Sequence, residues 1–348
     1  MTDLLALTAE LVDIPSVSLD ERAIADHIEA ALRDVEWLQV TRVGDNVVAR
    51  TDLGRAERLL LVGHIDTVPV NGNDRARIDD DVLWGLGSCD MKGGCAVFLE
   101  LARTVSEPSV DVSYVFYTAE EIAAEHNGLL RLFRERPELM AGDAAILGEP
   151  TEAAIEAGCQ GTLQARVTYR GERAHTARPW MGVNAIHRMG SLLASLDAYE
   201  ARRPVIDGCE FREALQAVHV DGGVAGNVVP DRASVSLNHR FAPDRSGDEA
   251  AAHVRSLVEL ADGDTFELLD VAPGAPPALE HPLLARLARG REVRAKLGWT
   301  DVARMHEHGV PACNFGPGDP SIAHTRDEHV RRAEIEAVHA ALLDVLTH

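Results

Sequence analysis

The sequence predicts an α/β fold in which a central, mostly parallel sheet is interrupted by an inserted antiparallel α+β domain. Three observations lead there. Apolar runs at 59–62, 112–117 and 144–147 alternate with helical patterns, as expected of strands buried on both faces of a sheet. Between residues 161 and 274 the order changes to strand, helix, strand, strand, helix, strand, the ferredoxin-like split βαβ pattern. The length, 348 residues, suits two domains or one domain with a large insertion.

The elements follow in chain order. The first ten residues carry no basic cluster and lead into an amphipathic helix, so no export signal is expected. The run Leu59–Val62 ends at Gly63 and delivers His64 and Asp66, whose i, i+2 spacing puts both side chains on one side of an extended chain. One ring nitrogen of His64 can then face a metal while Asp66 fixes the other. A Gly-flanked loop at 87–94 carries Asp90 ahead of a helical pattern over 95–104, and the run 112–117 leads to Glu120 and Glu121. The run 144–147 is followed by Glu149, and His324 stands alone near the other end of the chain. In an open sheet of strands alternating with helices, strand carboxyl ends converge on one edge, so groups remote in sequence can meet there.

Those groups suffice for a dinuclear centre. His64, Asp90, Glu121, Glu149 and His324 can hold two divalent ions if one carboxylate is shared, leaving each ion an open position for water. Asp90, short and in a glycine-flanked loop, suits the bridge. Glu120 and Glu121 point in opposite directions in an extended chain, so one of the pair remains free as a base. His306 and His308 flank Glu307 in a helical region where i, i+2 residues do not face each other, and no second metal site is expected there.

Within the insertion the expected elements are strand 163–169, helix 183–199, strands 215–220 and 233–239, helix 246–261 and strand 265–271, with 272–277 as a proline-rich return hinge. The expected domains are therefore 1–160 with 274–348, and 161–273. Loops of the insertion carry His175 and Arg178, Asn227, and Arg240 at a strand end. A positioned imidazole there could stabilise a developing oxyanion, and arginine forks suit carboxylates.

Composition excludes several classes. With 56 acidic against 34 basic residues the formal charge is −22, which argues against nucleic acid as a partner. No apolar run is long enough to span a membrane. Five cysteines, without zinc-type spacing and odd in number, fit reduced thiols in a cytoplasm.

The motifs GHIDTVP (63–69), GSCDMKGG (87–94), TAEE (118–121), ILGEPT (146–151), GCQGT (158–162), RAHTARPW (173–180), GGVAGNVVPD (222–231) and GPGDPSIAHTRDE (316–328) span essentially the whole chain. Through them the chain resembles the M20 family of co-catalytic metallohydrolases, and within it the succinyl-diaminopimelate desuccinylases of actinobacterial type. That resemblance implies a zinc-hydrolase catalytic domain with a lid and dimerisation insert. It implies His64, Asp90 and Glu149 on one zinc, Asp90, Glu121 and His324 on the other, and Glu120 as the base, with cobalt as an alternative metal. It implies that His175 acts from the neighbouring subunit of a homodimer, and that Asn227, Arg240, Gly298 and Thr300 occupy substrate-binding positions. The implied reaction is hydrolysis of N-succinyl-LL-2,6-diaminopimelate in lysine biosynthesis. Acetylornithine deacetylation or another amidohydrolase or peptidase activity is the alternative, and a non-catalytic, metal-stabilised binding protein the remote one. An intact Glu120 speaks against the last, because a structural site needs no spare base.

Overall fold

The structure, a computed structural model, describes residues 2–348; Met1, the first residue of the expected 1–160 segment, lies outside them. Two compact units emerge among the described residues, one comprising 2–157, 278–294 and 304–348, the other 158–277 and 295–303. Residues 295–303, expected with the C-terminal segment, thus pack with the inserted portion of the chain.

The first unit contains an eight-stranded sheet in the order Gln39–Val43, Asn46–Arg50, Asp111–Tyr117, Arg58–His64, Ala144–Leu147, Ala312–Asn314, Ile155–Ala157, Val293–Ala295. Its inner four strands are parallel. Outside them the pairings of Gln39–Val43 with Asn46–Arg50, of Asn46–Arg50 with Asp111–Tyr117, and of Ala312–Asn314 with Ile155–Ala157 are antiparallel. The sheet is therefore mixed, which corrects the expectation of a mostly parallel one. Helical crossovers such as Gly93–Thr104 join parallel neighbours, whereas Gly44, at φ +62°, closes a two-residue turn that can only produce a hairpin.

Burial explains the apolar runs. Every residue of Asp111–Tyr117 is buried, and ten residues of the Gly93–Thr104 helix are buried as well. Helices Leu4–Val12, Arg22–Arg33, Pro282–Ala288 and Arg332–Thr347 contribute to the same apolar core. A small sheet not expected from the sequence, Arg77–Asp79, Val82–Trp84 and His329–Arg331, ties down the chain that follows His324. Among the described residues no helix is long and apolar enough to cross a membrane, and all five cysteines are buried free thiols.

The second unit holds a four-stranded antiparallel sheet in the order Ala214–Gly222, Arg232–Phe241, Gly161–Arg170, Thr265–Ala272. Alternation along Arg232–Phe241 buries Ala233, Val235, Leu237, His239 and Phe241 and leaves the intervening residues at least partly accessible. The helix expected over 183–199 is instead two, Ala185–Arg188 and Gly190–Asp197, a break at a glycine, which favours helix weakly. The second helix, Gly247–Ser256, is shorter than expected and starts with a Ser246–Glu249 capping box. An unexpected hairpin, Val205–Ile206 with Cys209–Glu210, turns on Asp207 and Gly208, both at positive φ.

Candidate active site

His64 closes the Arg58–His64 strand and is almost fully buried. A Cβ on Gly63 would come within 2.7 Å of Cys95 Sγ, so glycine is what lets the Gly93–Thr104 helix pack this close to the strand end. His64 Nδ1 lies 3.1 Å from the Asp66 carbonyl oxygen and 3.5 Å from Asp66 Oδ1, which turns Nε2 toward Asp90 Oδ1 at 3.1 Å. Burial disfavours an imidazolium here, but Asp66 and Asp90 outweigh it and raise the His64 pKa well above its ordinary value.

Asp90 presents one oxygen to each histidine. Oδ1 faces His64, while Oδ2 lies 3.3 Å from His324 Nε2. That nitrogen also lies 2.8 Å from Glu121 Oε1. Asp90 and Glu121 push the His324 pKa up to about 10, partly opposed by burial. Burial would raise the Asp90 pKa, yet contacts with His324 and His64 hold it below the usual carboxylate range. Ligand atoms of His64, Asp90 and Glu121 all lie within 4.8 Å of one another. Two imidazoles interleaved with carboxylates form a donor set that draws in positive charge, which suits divalent cations such as zinc.

The loop carrying Asp90 is anchored by a residue to which the sequence reading assigned no role. Glu328, buried, accepts from the backbone N–H groups of Cys89 at 3.2 Å and Asp90 at 3.3 Å through Oε1. Burial and the neighbouring Asp90 charge push its pKa up to about 7. Its sequence signal was only its place at the end of the 316–328 motif.

Asp66 does more than face His64. Its Oδ1 accepts from the Glu120 N–H at 3.0 Å and its Oδ2 from the Glu121 N–H at 3.2 Å. Glu149 is buried just beyond Ala144–Leu147 and outside the three-residue cluster. The preceding Gly148 donates its N–H to the Val62 carbonyl oxygen at 3.0 Å. A Cβ on Gly94 or Gly316 would collide with the Gly148 carbonyl oxygen, so glycines at both positions admit the Glu149 segment. The structure thus brings His64, Asp66, Asp90, Glu121 and His324 together, with the Glu120 backbone in the same network. His308 stacks on Phe133 at 3.8 Å, and His329 lies against Trp84 at 4.4 Å.

The remaining candidate residues lie in the second unit. His175 is exposed and bridges Val228, and Thr176 donates its N–H to the Asn227 carbonyl oxygen at 3.1 Å, so the two loops are zipped together. His175 Nδ1 accepts from the Ala177 N–H at 3.0 Å, which leaves the proton of a neutral ring on Nε2. Arg178 is exposed and donates its own N–H to the His175 carbonyl oxygen at 2.7 Å. Arg240, half-buried at the end of its strand, has its pKa lowered by burial. Gly298 is exposed; Thr300 is buried and its carbonyl oxygen accepts from the Ala303 N–H at 3.0 Å.

Comparison with known proteins gives concordant results. Residues 60–348 match the peptidase family M20/M25/M40. A protein of Mycobacterium tuberculosis named putative succinyl-diaminopimelate desuccinylase is 53% identical over 338 residues, covering 96% of this chain and 95% of the relative. The succinyl-diaminopimelate desuccinylase of Corynebacterium glutamicum is 46% identical over 355 residues, covering 99% and 96%. Among solved structures, the aminopeptidase PepT of Bacillus cereus superposes with a TM-score of 0.81 at 18% identity, covering 99% of this chain and 97% of the other. A dinuclear metal-binding M20 peptidase of Bacillus subtilis gives 0.70 at 17% identity, covering 98% and 96%. At these identities the structural likeness speaks to the fold alone.

Proposed function

Because the chain belongs to the M20/M25/M40 peptidase family, we propose that it is a metal-dependent amidohydrolase that converts N-succinyl-LL-2,6-diaminopimelate and water to succinate and LL-2,6-diaminopimelate, a step of lysine biosynthesis in the cytoplasm. The observation that carries the metal chemistry is the Asp90 carboxylate set between His64 and His324 with Glu121 beside it. In this reading His64, Asp90 and Glu149 would hold one ion and Asp90, Glu121 and His324 the other, zinc natively with cobalt able to substitute. Two divalent ions held by these residues would supply Lewis acidity and a water nucleophilic near neutral pH.

The chain's own groups complete the reaction. Glu120 takes a proton from the attacking water and delivers it to the leaving nitrogen as the amide C–N bond breaks, and the acyl half departs as a carboxylate. Asp66 keeps His64 oriented and anchors the turn that presents Glu120. His175, contributed by the other subunit of a homodimer, donates from Nε2 to the oxyanion; its Nδ1 contact with the Ala177 amide supports that tautomer. Arg178, Arg240 and Asn227 receive substrate carboxylates, with Gly298 and Thr300 as further contacts. Arg240 suits this role because it is half-buried at its strand end and burial is what lowers its pKa, so a substrate carboxylate would stabilise its charge.

In the same reading residues 1–160 and 274–348 form the catalytic domain and 161–273 a ferredoxin-like lid through which two chains pair. Ala214–Gly222 supports that pairing, since it is a sheet edge with Val218 61% and Val220 50% exposed. The test compares succinylated and acetylated substrates on one zinc-loaded preparation. An acetyl group leaves a carboxylate-binding donor such as the half-buried Arg240 unpaired, so a preference of about ten-fold to a hundred-fold for the succinyl compound is expected in kcat/KM. Equal or faster hydrolysis of acetylornithine would replace this assignment with the deacetylase one.

A further inference from the structure

The segment Ile14–Glu21, between the first two helices, has no role in the chemistry described above. It lies along the chain that continues from His64: Val17 bridges Thr67 in parallel, the Thr67 N–H donates to the Ser16 carbonyl oxygen at 2.9 Å, and the Ser18 N–H donates to the Thr67 carbonyl oxygen at 3.1 Å. The buried Lys92 ammonium donates to the Ile14 carbonyl oxygen at 2.9 Å and holds the start of the segment. Two side chains then reach the catalytic turn. Ser18 Oγ donates to Asp66 Oδ2 at 2.7 Å. Glu21 Oε1 accepts the Ala119 N–H at 3.0 Å, and Glu21 is only 4% exposed.

Glu21 stands at the N-cap position of Arg22–Arg33 but makes no capping bond to that helix. Its carboxylate serves instead an amide 98 residues away. With the two bonds to Asp66, three successive backbone amides, those of Ala119, Glu120 and Glu121, are each held by a carboxylate. Ala119 has a positive φ of 56°, unfavourable for a residue with a Cβ, so the turn needs external restraint to keep its shape. Fixing these peptide planes fixes the directions in which the Glu120 and Glu121 side chains leave the backbone.

We infer that Ser18 and Glu21 are positioning residues that lock the 119–121 turn through Asp66 and the Ala119 amide, so that Glu120 and Glu121 are held in their separate places. This rests on the hydrolase reading, in which one glutamate is base and the other ligand. Misplacing a reacting group by about 1 Å can cost on the order of a hundred-fold in rate.

The test uses Glu21→Ala, Glu21→Gln, Ser18→Ala and Ser18→Thr in the full chain, with amide exchange at residues 119–121 read on metal-free protein and zinc content, kcat and KM read on loaded protein. Glu21→Ala should speed exchange at Ala119 about ten-fold or more and lower kcat by about ten-fold, with KM and zinc content little changed. Glu21→Gln retains an acceptor oxygen and should restore both. Ser18→Ala should act in the same sense, and Ser18→Thr, which keeps the hydroxyl, should recover. Unchanged exchange in Glu21→Ala would overturn the inference, as would faster exchange without loss of kcat, or a glutamine variant no better than alanine. If wild-type protein fails to hydrolyse succinyl-diaminopimelate, the functional assignment falls, while the exchange measurement still decides whether Glu21 and Ser18 lock the turn.

Discussion

Replacing Glu120 by glutamine tests the proposed division of the glutamate pair into base and ligand. The backbone of both residues is anchored independently of their side chains, because Asp66 accepts the Glu120 N–H at 3.0 Å and the Glu121 N–H at 3.2 Å. Glu120→Gln therefore leaves Glu121 beside His324, where its Oε1 lies 2.8 Å from the ring. The amide has the shape of the carboxylate but cannot carry the proton. Loss of a general base costs about 10²–10⁴ in turnover. At about 1.36 kcal/mol per decade this is roughly 2.7–5.4 kcal/mol of transition-state stabilisation. Succinate release measured alongside zinc content by elemental analysis checks the expectation: kcat falls by at least about two decades while the zinc per chain stays at the wild-type value. Zinc lost in proportion to activity would make Glu120 a ligand and reverse the pair; turnover within about ten-fold of wild type would place the base elsewhere.

Three other outcomes follow from the geometry. Glu328→Ala strips the Cys89 and Asp90 amides of their acceptor, and at about 1–3 kcal/mol per buried unsatisfied group it should lower the unfolding free energy and weaken zinc retention, whereas Glu328→Gln keeps an acceptor and loses less; urea titration and chelator competition read the two effects. Glu213 is buried between Arg202 and Arg245, and although burial raises its pKa, Arg202, the Ala242 N–H and Arg245 bring it below its ordinary 4.5. Its stabilisation is thus present above pH 4.5 and lost as pH falls through the lower folded value, so the wild-type urea midpoint should drop more between pH 6 and 3 than that of Glu213→Gln; parallel drops would refute the linkage. Mixing Glu120→Gln with His175→Ala protomers should recover up to about a quarter of wild-type activity, since about half of randomly paired dimers are hybrids with one complete site. No recovery after verified subunit exchange would remove the action of His175 across subunits.

What the sequence could reveal depended on how local each signal was. The convergence of His64, Asp90, Glu121 and His324 was legible because each follows or lies near a buried run or a glycine-flanked loop, and the ends of parallel strands meet on one sheet edge. The mixed character of the sheet was not, since apolar runs report burial and are silent on strand direction. Gly190 was a readable warning within 183–199 that the helical period passed over. The Asp207–Gly208 dipeptide was likewise a turn signal flanked by strands too short to register. Ser18, Glu21 and Glu328 could not be found by pattern, because their partners lie 48, 98 and 239 residues away and a buried acid that accepts backbone N–H groups leaves no periodic trace.

The placement of Ala312–Asn314 between Ala144–Leu147 and Ile155–Ala157 bears on how the chain is made. When residue 157 leaves the ribosome the sheet is missing an inner strand, and both neighbours of the gap expose unpaired backbone groups. At about 5–20 residues per second that gap persists for roughly ten to thirty seconds of synthesis. The nascent chain through that interval presents open sheet edges beside an apolar core, the surface that holdase chaperones bind. Glu328, which anchors Asp90, emerges later still. Assembly of the proposed metal site is therefore coupled to completion of the polypeptide, and premature termination after the inserted portion yields a species with neither a closed sheet nor an anchored Asp90 loop.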